Sequence, residues 1–330
     1  MPTFEPSQEE AYMIKYIIKR VIAMLITLFI IVSLCFLTIR MIPGDIVGQG
    51  AQPEIREAME ERYHLNDPLP EQYVTFLKNF FTLDFGESIT TYPRSPVFNV
   101  IMDKIPLTLQ LNLFSLVITI PLGILFGIIA ALKKNKPTDH AISVMVVLCV
   151  SVPSFVFAAL LQYFFAFKLG WFPLLLELED QGLTLTKLWS MVLPVLALSF
   201  GGIATITRYM RAELFEALNS EYMLLSRAKG LTRMQSTVRH AIRNSFIPLC
   251  NIIIPMFMNL LGGSMVVENI FGIPGIGRLT VMSISNSDYF LTVAVLFFYS
   301  IISLLSVLIV DLSYGIIDPR IRIGGGKTVE

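Results

Sequence analysis

Apolar residues fall in six long uncharged runs, at 21–39, 107–132, 141–167, 188–207, 246–267 and 289–310, separated by polar segments of very different length. A helix needs about 20 apolar residues to cross the hydrocarbon core of a bilayer, and each run comes to about that length. The pattern predicts an all-α polytopic membrane protein with about six transmembrane helices. The first run is too long for a signal-peptide core. Arg40-Met41-Ile42-Pro43 follows it in place of a small-x-small cleavage site, so it reads as a retained span. Pro121, Pro153, Pro194 and Pro255 lie within spans, and Gly262-Gly263 lies deep in the fifth. Proline removes a backbone donor and kinks a helix, which a membrane bundle tolerates where neighbours satisfy the freed carbonyl.

Composition agrees with this pattern. The 330 residues are 54% hydrophobic and 15% charged, against about a quarter charged in soluble chains. The formal net charge is zero, which leaves no bulk basic field for nucleic acid and puts the information in how the charges are distributed. With the N-terminus placed in the cytoplasm, 16 of the 25 basic residues fall on the cytoplasmic side. The other 9 fall outside with 15 of the acidic residues, as the positive-inside rule expects. An even number of spans returns the C-terminus to the cytoplasm. Cys35, Cys149 and Cys250 all sit in apolar stretches and read as small buried hydrophobes. His64, His140 and His240 are scattered without metal-ligand spacing.

The chain divides into a cytoplasmic N-terminus with the first span (1–42), an extracytoplasmic lid (43–106), a five-helix core (107–312) and a cytoplasmic tail (313–330). In the lid, Ile55, Met59 and Tyr63 at helical spacing predict a helix from Pro53 to Leu65. Tyr73, Phe76, Leu77 and Phe80 predict another from Pro70 to Phe81, after the turn Asn66-Asp67-Pro68. Two short amphipathic helices of this kind cap a membrane domain or receive a partner. After the fifth span, Glu268-Asn269-Ile270-Phe271-Gly272-Ile273-Pro274-Gly275-Ile276-Gly277-Arg278 is too rich in glycine and proline for regular helix and predicts a short elbow.

The stretch 208–245 is polar, basic and helix-forming, and is the longest cytoplasmic connection. Glu221 to Lys229 reads as a helix stopping at Gly230, and a second helical stretch runs through His240-Ala241-Ile242-Arg243-Asn244 to Pro248. Glycine permits the left-handed turn that joins two helices at an angle. On these residues the chain resembles the inner-membrane permease subunits of binding-protein-dependent ABC importers, of the oligopeptide and dipeptide permease B type. The resemblance covers nearly the whole chain. It takes in Pro43-Gly44-Asp45, Asp84-Phe85-Gly86-Glu87-Ser88, Ser151-Val152-Pro153-Ser154-Phe155 and Arg227-Ala228-Lys229-Gly230-Leu231. Further on it takes in Arg239-His240-Ala241, Ile247-Pro248, Val267-Glu268-Asn269-Ile270-Phe271, Pro274-Gly275-Ile276-Gly277-Arg278 and Asp318-Pro319-Arg320-Ile321-Arg322. Each motif is short, and their joint occurrence in this order is specific.

The resemblance implies a non-catalytic membrane subunit of an ATP-driven importer of peptides in the bacterial inner membrane. The implied partners are a second homologous permease subunit, two ATPase subunits and an extracytoplasmic peptide-binding protein. ATP and magnesium belong to the ATPases, and no cofactor or metal is expected on this chain. The loop around Gly230 is similar to the coupling segment that seats in a cleft of the ATPase, which implicates Ser226, Arg227, Ala228, Lys229, Gly230, Leu231, His240, Arg243 and Pro248. The general pattern of such importers places Glu-Ala-Ala six to four residues before the glycine, where this chain has Leu224-Leu225-Ser226. The bland alternative for the arginines and lysines is topological, since basic residues also simply retain a loop inside.

Two other classes were weighed against this reading. An ion-coupled secondary transporter keeps charged relays inside its spans, and the six runs contain no Asp, Glu, Arg, Lys or His. An intramembrane enzyme needs a Ser/His/Asp constellation or paired aspartates, and no run has one. Gly324-Gly325-Gly326-Lys327-Thr328 lacks the first glycine of a phosphate loop, since position 321 is isoleucine, and reads as a tail. A related importer for nickel or another small solute stays open as the alternative cargo. A path through uncharged spans must use neutral polar groups, for which Gln110, Asn112, Gln162, Asn251, Asn259 and Ser264 are the candidates. Each serves equally well as a helix-to-helix hydrogen bond. Glu268, beside the elbow, is the candidate gating carboxylate.

Overall fold

The computed structural model describes residues 8–41, 57, 60–61, 66–178, 182 and 184–317. The motifs at 43–45 and 318–322 and the glycine-rich tail lie outside them. Of the helix expected from Pro53 to Leu65, only Glu57, Glu60 and Glu61 are described, and they are helical. Among the described residues five helices are long and apolar enough to cross a membrane, and a sixth crossing is reached when one bent pair is taken as a single span.

The runs and the helices differ at informative places. The third run is not one straight span. It is α4 (Pro137–Ser151) followed by α5 (Ser154–Leu161) and the π-helical turn Gln162–Lys168, with the two halves bent by 100°. Val152 is extended at φ −94°, ψ 122°, and Pro153 follows at φ −59°, ψ 146°. Proline has no N–H to continue the ladder, and its ring drives the preceding residue out of helical space. Pro194, Pro248 and Pro255 remain inside helices, so proline alone does not make the break. The fourth run is the middle of α6 (Leu185–Leu218), which Thr184 caps by accepting from the Lys187 N–H at 3.2 Å. The fifth run breaks at Gly262-Gly263, where Gly263 has φ +57°, so Val267 belongs to a separate short helix.

The chain forms two compact units, residues 1–106 with 276–330, and residues 107–275. In the first, α1 (Gln8–Met41) and α12 (Tyr289–Ile317) hold α2 (Leu69–Phe81), the lid helix the spacing of aromatics anticipated. Phe80 meets Phe297 with ring centroids 4.2 Å apart, Tyr73 meets Phe36 at 5.2 Å, and the Tyr73 and Ser33 hydroxyls share a hydrogen bond of 2.6 Å. Arg20 of α1 forms an ion pair with Asp311 of α12. The start of α3 (Val97–Leu132) buries Val97, Val100 and Ile101 against Ile276 and Leu279 of α11 (Ile276–Ser285) and Leu291 and Val295 of α12.

Between the lid and the α11–α12 corner, Asp288 is fully buried. Its carboxylate accepts from the Ser88 hydroxyl at 2.5 Å, the Thr91 N–H at 3.0 Å and the Thr90 and Leu291 N–H groups at 3.3 Å. Ser88 in turn accepts from the Tyr92 N–H at 2.8 Å. Removing this acceptor strands buried donors, each at a cost of about 1–3 kcal/mol. Asp288→Ala is therefore expected to lower stability by about 3 kcal/mol. A thermal melt of the purified chain in detergent measures it, and an unchanged midpoint would contradict the network.

In the second unit α6 is the central helix: 61% of its most apolar window is buried, against 11% for the first span. It is joined to α3 along a seam of small residues spaced four apart. Ser115 and Ser199 share a hydroxyl contact of 3.1 Å, and Thr119 packs on Gly202. Gly123 lies against Ile206 and accepts from the Thr207 hydroxyl at 3.2 Å, and Gly127 lies against Met210. Small residues at this spacing let membrane helices approach until backbone touches side chain, the main source of attraction where lipid removes the hydrophobic drive.

Candidate functional site

α6 runs past the membrane-length stretch to Leu218, so residues 208–218 of the expected loop are helix and the irregular connection is shorter than the composition suggested. After Asn219 and Ser220 the chain turns into α7 (Glu221–Ala228). One face of α7 points inward. Met223 and Ser226 are buried, three residues apart, and Met223 joins Met210, Leu214, Ala217, Ala241 and Leu249 in one apolar cluster. The Ser226 hydroxyl is used internally, donating to the Met223 carbonyl at 2.9 Å.

The stop at Gly230 follows from local hydrogen bonding. The Gly230 N–H donates to Arg227 O at 2.9 Å and the Leu231 N–H to Ser226 O at 3.3 Å, the paired bonds of a Schellman cap. That cap needs a left-handed residue, and Gly230 has φ +85°. Thr232 then opens α8 (Arg233–Ser236) with a reciprocal capping box: Gln235 N–H donates to its hydroxyl at 3.3 Å, and its own N–H donates to Gln235 Oε1 at 3.0 Å. A π-helical turn, Thr237–Ile242, leads into α9 (Arg243–Met258).

Of the residues named from the sequence, Arg227, Ala228, Lys229, Gly230 and Arg243 are exposed. Leu231, His240 and Pro248 are half-buried, and Ser226 faces inward. Sequence reasoning passed over the apolar part of the surface. Leu224 is 67% exposed, Leu225 59%, Met234 68% and Val238 50%, beside Tyr222. The signal was available: once Met223 and Ser226 point inward at helical spacing, Leu224 and Leu225 must point out. A twice-capped turn thus exposes leucine, methionine and valine alongside arginine and lysine.

The path and gate candidates meet only in part. Around the elbow, Asn112 donates to Leu260 O at 2.6 Å, and Gln162 donates to Leu174 O at 2.8 Å and Ile270 O at 2.9 Å. Ser264 caps α10 (Met265–Ile270) by accepting from the Val267 N–H at 3.4 Å. Glu268 is fully buried, its Oε1 accepting from the Ser264 N–H at 3.2 Å and the Thr108 hydroxyl at 3.3 Å. Gly275 closes over it: a Cβ there would lie 2.4 Å from Thr108 Oγ1 and 2.5 Å from Glu268 Oε2. Asn251 and Asn259 are exposed and do not join this group, and the Gln110 carbonyl oxygen is buried with no hydrogen-bond partner among the described residues. Among the described residues no three His, Cys, Asp or Glu side chains cluster as a metal site.

Comparison with known proteins places these features in a family. The model for "Binding-protein-dependent transport system inner membrane component" matches residues 123–323, and the model for its N-terminal part matches 13–112. The dipeptide transport system permease protein DppB of Bacillus subtilis is 37% identical over 94% of this chain and 99% of its own length. DppB of Lactococcus lactis is 38% identical, and the oligopeptide transport system permease protein OppB of Escherichia coli 36%, each over 94% of this chain and all of the relative. Among solved structures, a chain of the MetNI methionine ABC transporter in inward-facing conformations aligns at 19% identity with a TM-score of 0.49, covering 66% of this chain and 98% of that one.

Proposed function

The chain belongs to the binding-protein-dependent transport system inner membrane components, multi-pass proteins of the inner membrane, and on that premise we propose that it is the permease subunit of an ATP-driven peptide importer. Peptide cargo is supported by relatives named as dipeptide and oligopeptide permeases that match this chain over nearly their full length. A path without fixed charge suits peptides of varied side chain, because charges would discriminate among them. The chain pairs with a second permease subunit and two ATPase subunits, which carry ATP and magnesium, and receives cargo from an external binding protein over the lid at 43–106. Both termini lie in the cytoplasm, as the distribution of lysine and arginine directs.

The observation that carries the coupling role is the set of exposed apolar side chains on α7, α8 and the π-helical turn, between α6 and α9 in the chain. Residues 226–231, with His240, Arg243 and Pro248 framing the return helix, form the piece that seats in the ATPase cleft. Leu224 and Leu225 supply its buried contacts, and Arg227 and Lys229 its charged rim. An aspartate at Leu225 would carry a charge into a desolvated contact. Leu225→Asp is expected to weaken ATPase association by about 2 kcal/mol, roughly thirtyfold in Kd. Co-purification of the ATPase subunits with the membrane pair measures this. Full recovery of the ATPases with the Leu225→Asp chain would remove the docking assignment.

A further inference from the structure

One ion pair of the second unit is used by neither the docking face nor the elbow. Asp139, in the first turn of α4, is paired with Arg211 of α6 in a two-pronged geometry: Nε to Oδ1 at 2.7 Å and Nη2 to Oδ2 at 2.8 Å. The Asp139 side chain is 2% exposed, and its Oδ2 also accepts from the Asn135 N–H at 2.9 Å. Asn135 is left-handed at φ +62°, so this bond fixes the turn joining α3 to α4 as well. Planar guanidinium-to-carboxylate pairing of this kind sets orientation more sharply than a single ammonium contact does.

The rest of α4 packs along α6 with few fully buried residues. Asp139 and Val146 are its only buried residues, and Val144, Val147, Leu148 and Val150 are exposed. Its far end is the 100° break at Val152-Pro153. α3 is fixed to α6 by the small-residue seam whether or not the ion pair is present. The ion pair is the buried polar link that fixes the orientation of the α4 amino end on α6. Arg211 also lies eight residues before the Asn219 cap, on the helix that leads directly into the docking turn. Beyond the break, α5 runs into Gln162, which holds the Ile270 carbonyl of the elbow.

We propose that Asp139 and Arg211 are positioning residues for transport: they make α4 follow α6, so that a displacement delivered at the docking turn reaches α5 and the elbow. The proposal rests on the importer reading and adds a route for its stroke. With the pair broken, the α4 amino end loses its fixed orientation on α6, and ATP is hydrolysed with less cargo moved. Packed elements with two discrete arrangements carry such coupling, and only a functional ratio, not proximity, establishes it.

The test uses the full complex in liposomes, with peptide uptake and ATP hydrolysis measured on the same vesicles. Asp139→Asn is expected to assemble and to hydrolyse ATP within twofold of the wild type, while moving at least fivefold less peptide per ATP. Arg211→Lys, which keeps the charge and loses the fork, is expected to fall between the two. An unchanged ratio in Asp139→Asn overturns the proposal. Loss of assembly in both variants also overturns it, because the pair would then serve folding alone. A wild-type complex without ATP-dependent uptake is a different failure, that of the importer reading, and takes the proposal with it.

Discussion

Gly230→Val is expected to abolish uptake while leaving the chain inserted and folded, whereas Gly230→Asn retains most of it. No atom lies within 4 Å of a Cβ built at this position, so side-chain crowding contributes nothing. The penalty is in the backbone, where φ is +85°. A β-branched residue held in the left-handed region costs on the order of 1–3 kcal/mol, and asparagine tolerates that region far better. Valine relieves its strain by leaving the left-handed turn, which breaks the bonds to Arg227 O and Ser226 O and swings α8 away from α7. The exposed side chains of Leu224 and Leu225 on α7 and of Met234 and Val238 beyond the turn then no longer keep a fixed spacing. Peptide uptake by complexes matched for membrane insertion measures this. Equal uptake from the valine and wild-type chains would remove the turn from the mechanism.

Gly127→Leu has the opposite cause and a larger structural effect. Its Cβ would lie 2.5 Å from Met210 Cβ, 2.9 Å from Met210 Cγ and 3.0 Å from the Thr207 carbonyl oxygen. Met210 is fully buried, and the carbonyl belongs to α6 backbone, so neither can step aside. Overpacking typically costs 1–3 kcal/mol, and here α3 must also lift off α6, losing contacts along the seam. The expected loss is about 3 kcal/mol or more, read as a collapse of the detergent melting transition and of folded yield. Gly201→Ala is the contrasting case, since nothing lies within 4 Å of its Cβ and alanine favours helix by roughly 1 kcal/mol. A normal melt for Gly127→Leu would contradict the close helix contact.

The contrast between these two glycines shows what the sequence makes legible. The left-handed turn at Gly230 was readable because its determinants are local: a helix before it, capping residues after it, and a glycine between. The six apolar runs were readable for the same reason, since membrane thickness dictates their length. Gly127 was not, because its role depends on Met210, 83 positions away, with nothing in its neighbourhood to mark it. Pro153 was visible as a kink but not as a 100° break, since Pro194, Pro248 and Pro255 look alike in sequence and stay helical.

Charge misled in a different way. Asp139 follows Lys133, Lys134 and Lys136 closely in sequence, yet it is buried against Arg211, 72 positions away. Glu268, the candidate gating carboxylate at the end of an uncharged run, is enclosed by Thr108, Ser264 and Gly275. Both are satisfied by partners distant in sequence or by backbone N–H groups, and side-chain type alone does not disclose either. Leu224 and Leu225, exposed between the inward-facing Met223 and Ser226, are likewise not marked by side-chain type alone.

The most direct test of the importer reading is ATP-dependent uptake of labelled peptide by this chain, co-expressed with its genomic neighbours and reconstituted in liposomes, with and without the external binding protein. Uptake requiring both ATP and the binding protein is the predicted result. Uptake without ATP, driven by an imposed proton or sodium gradient, would contradict it.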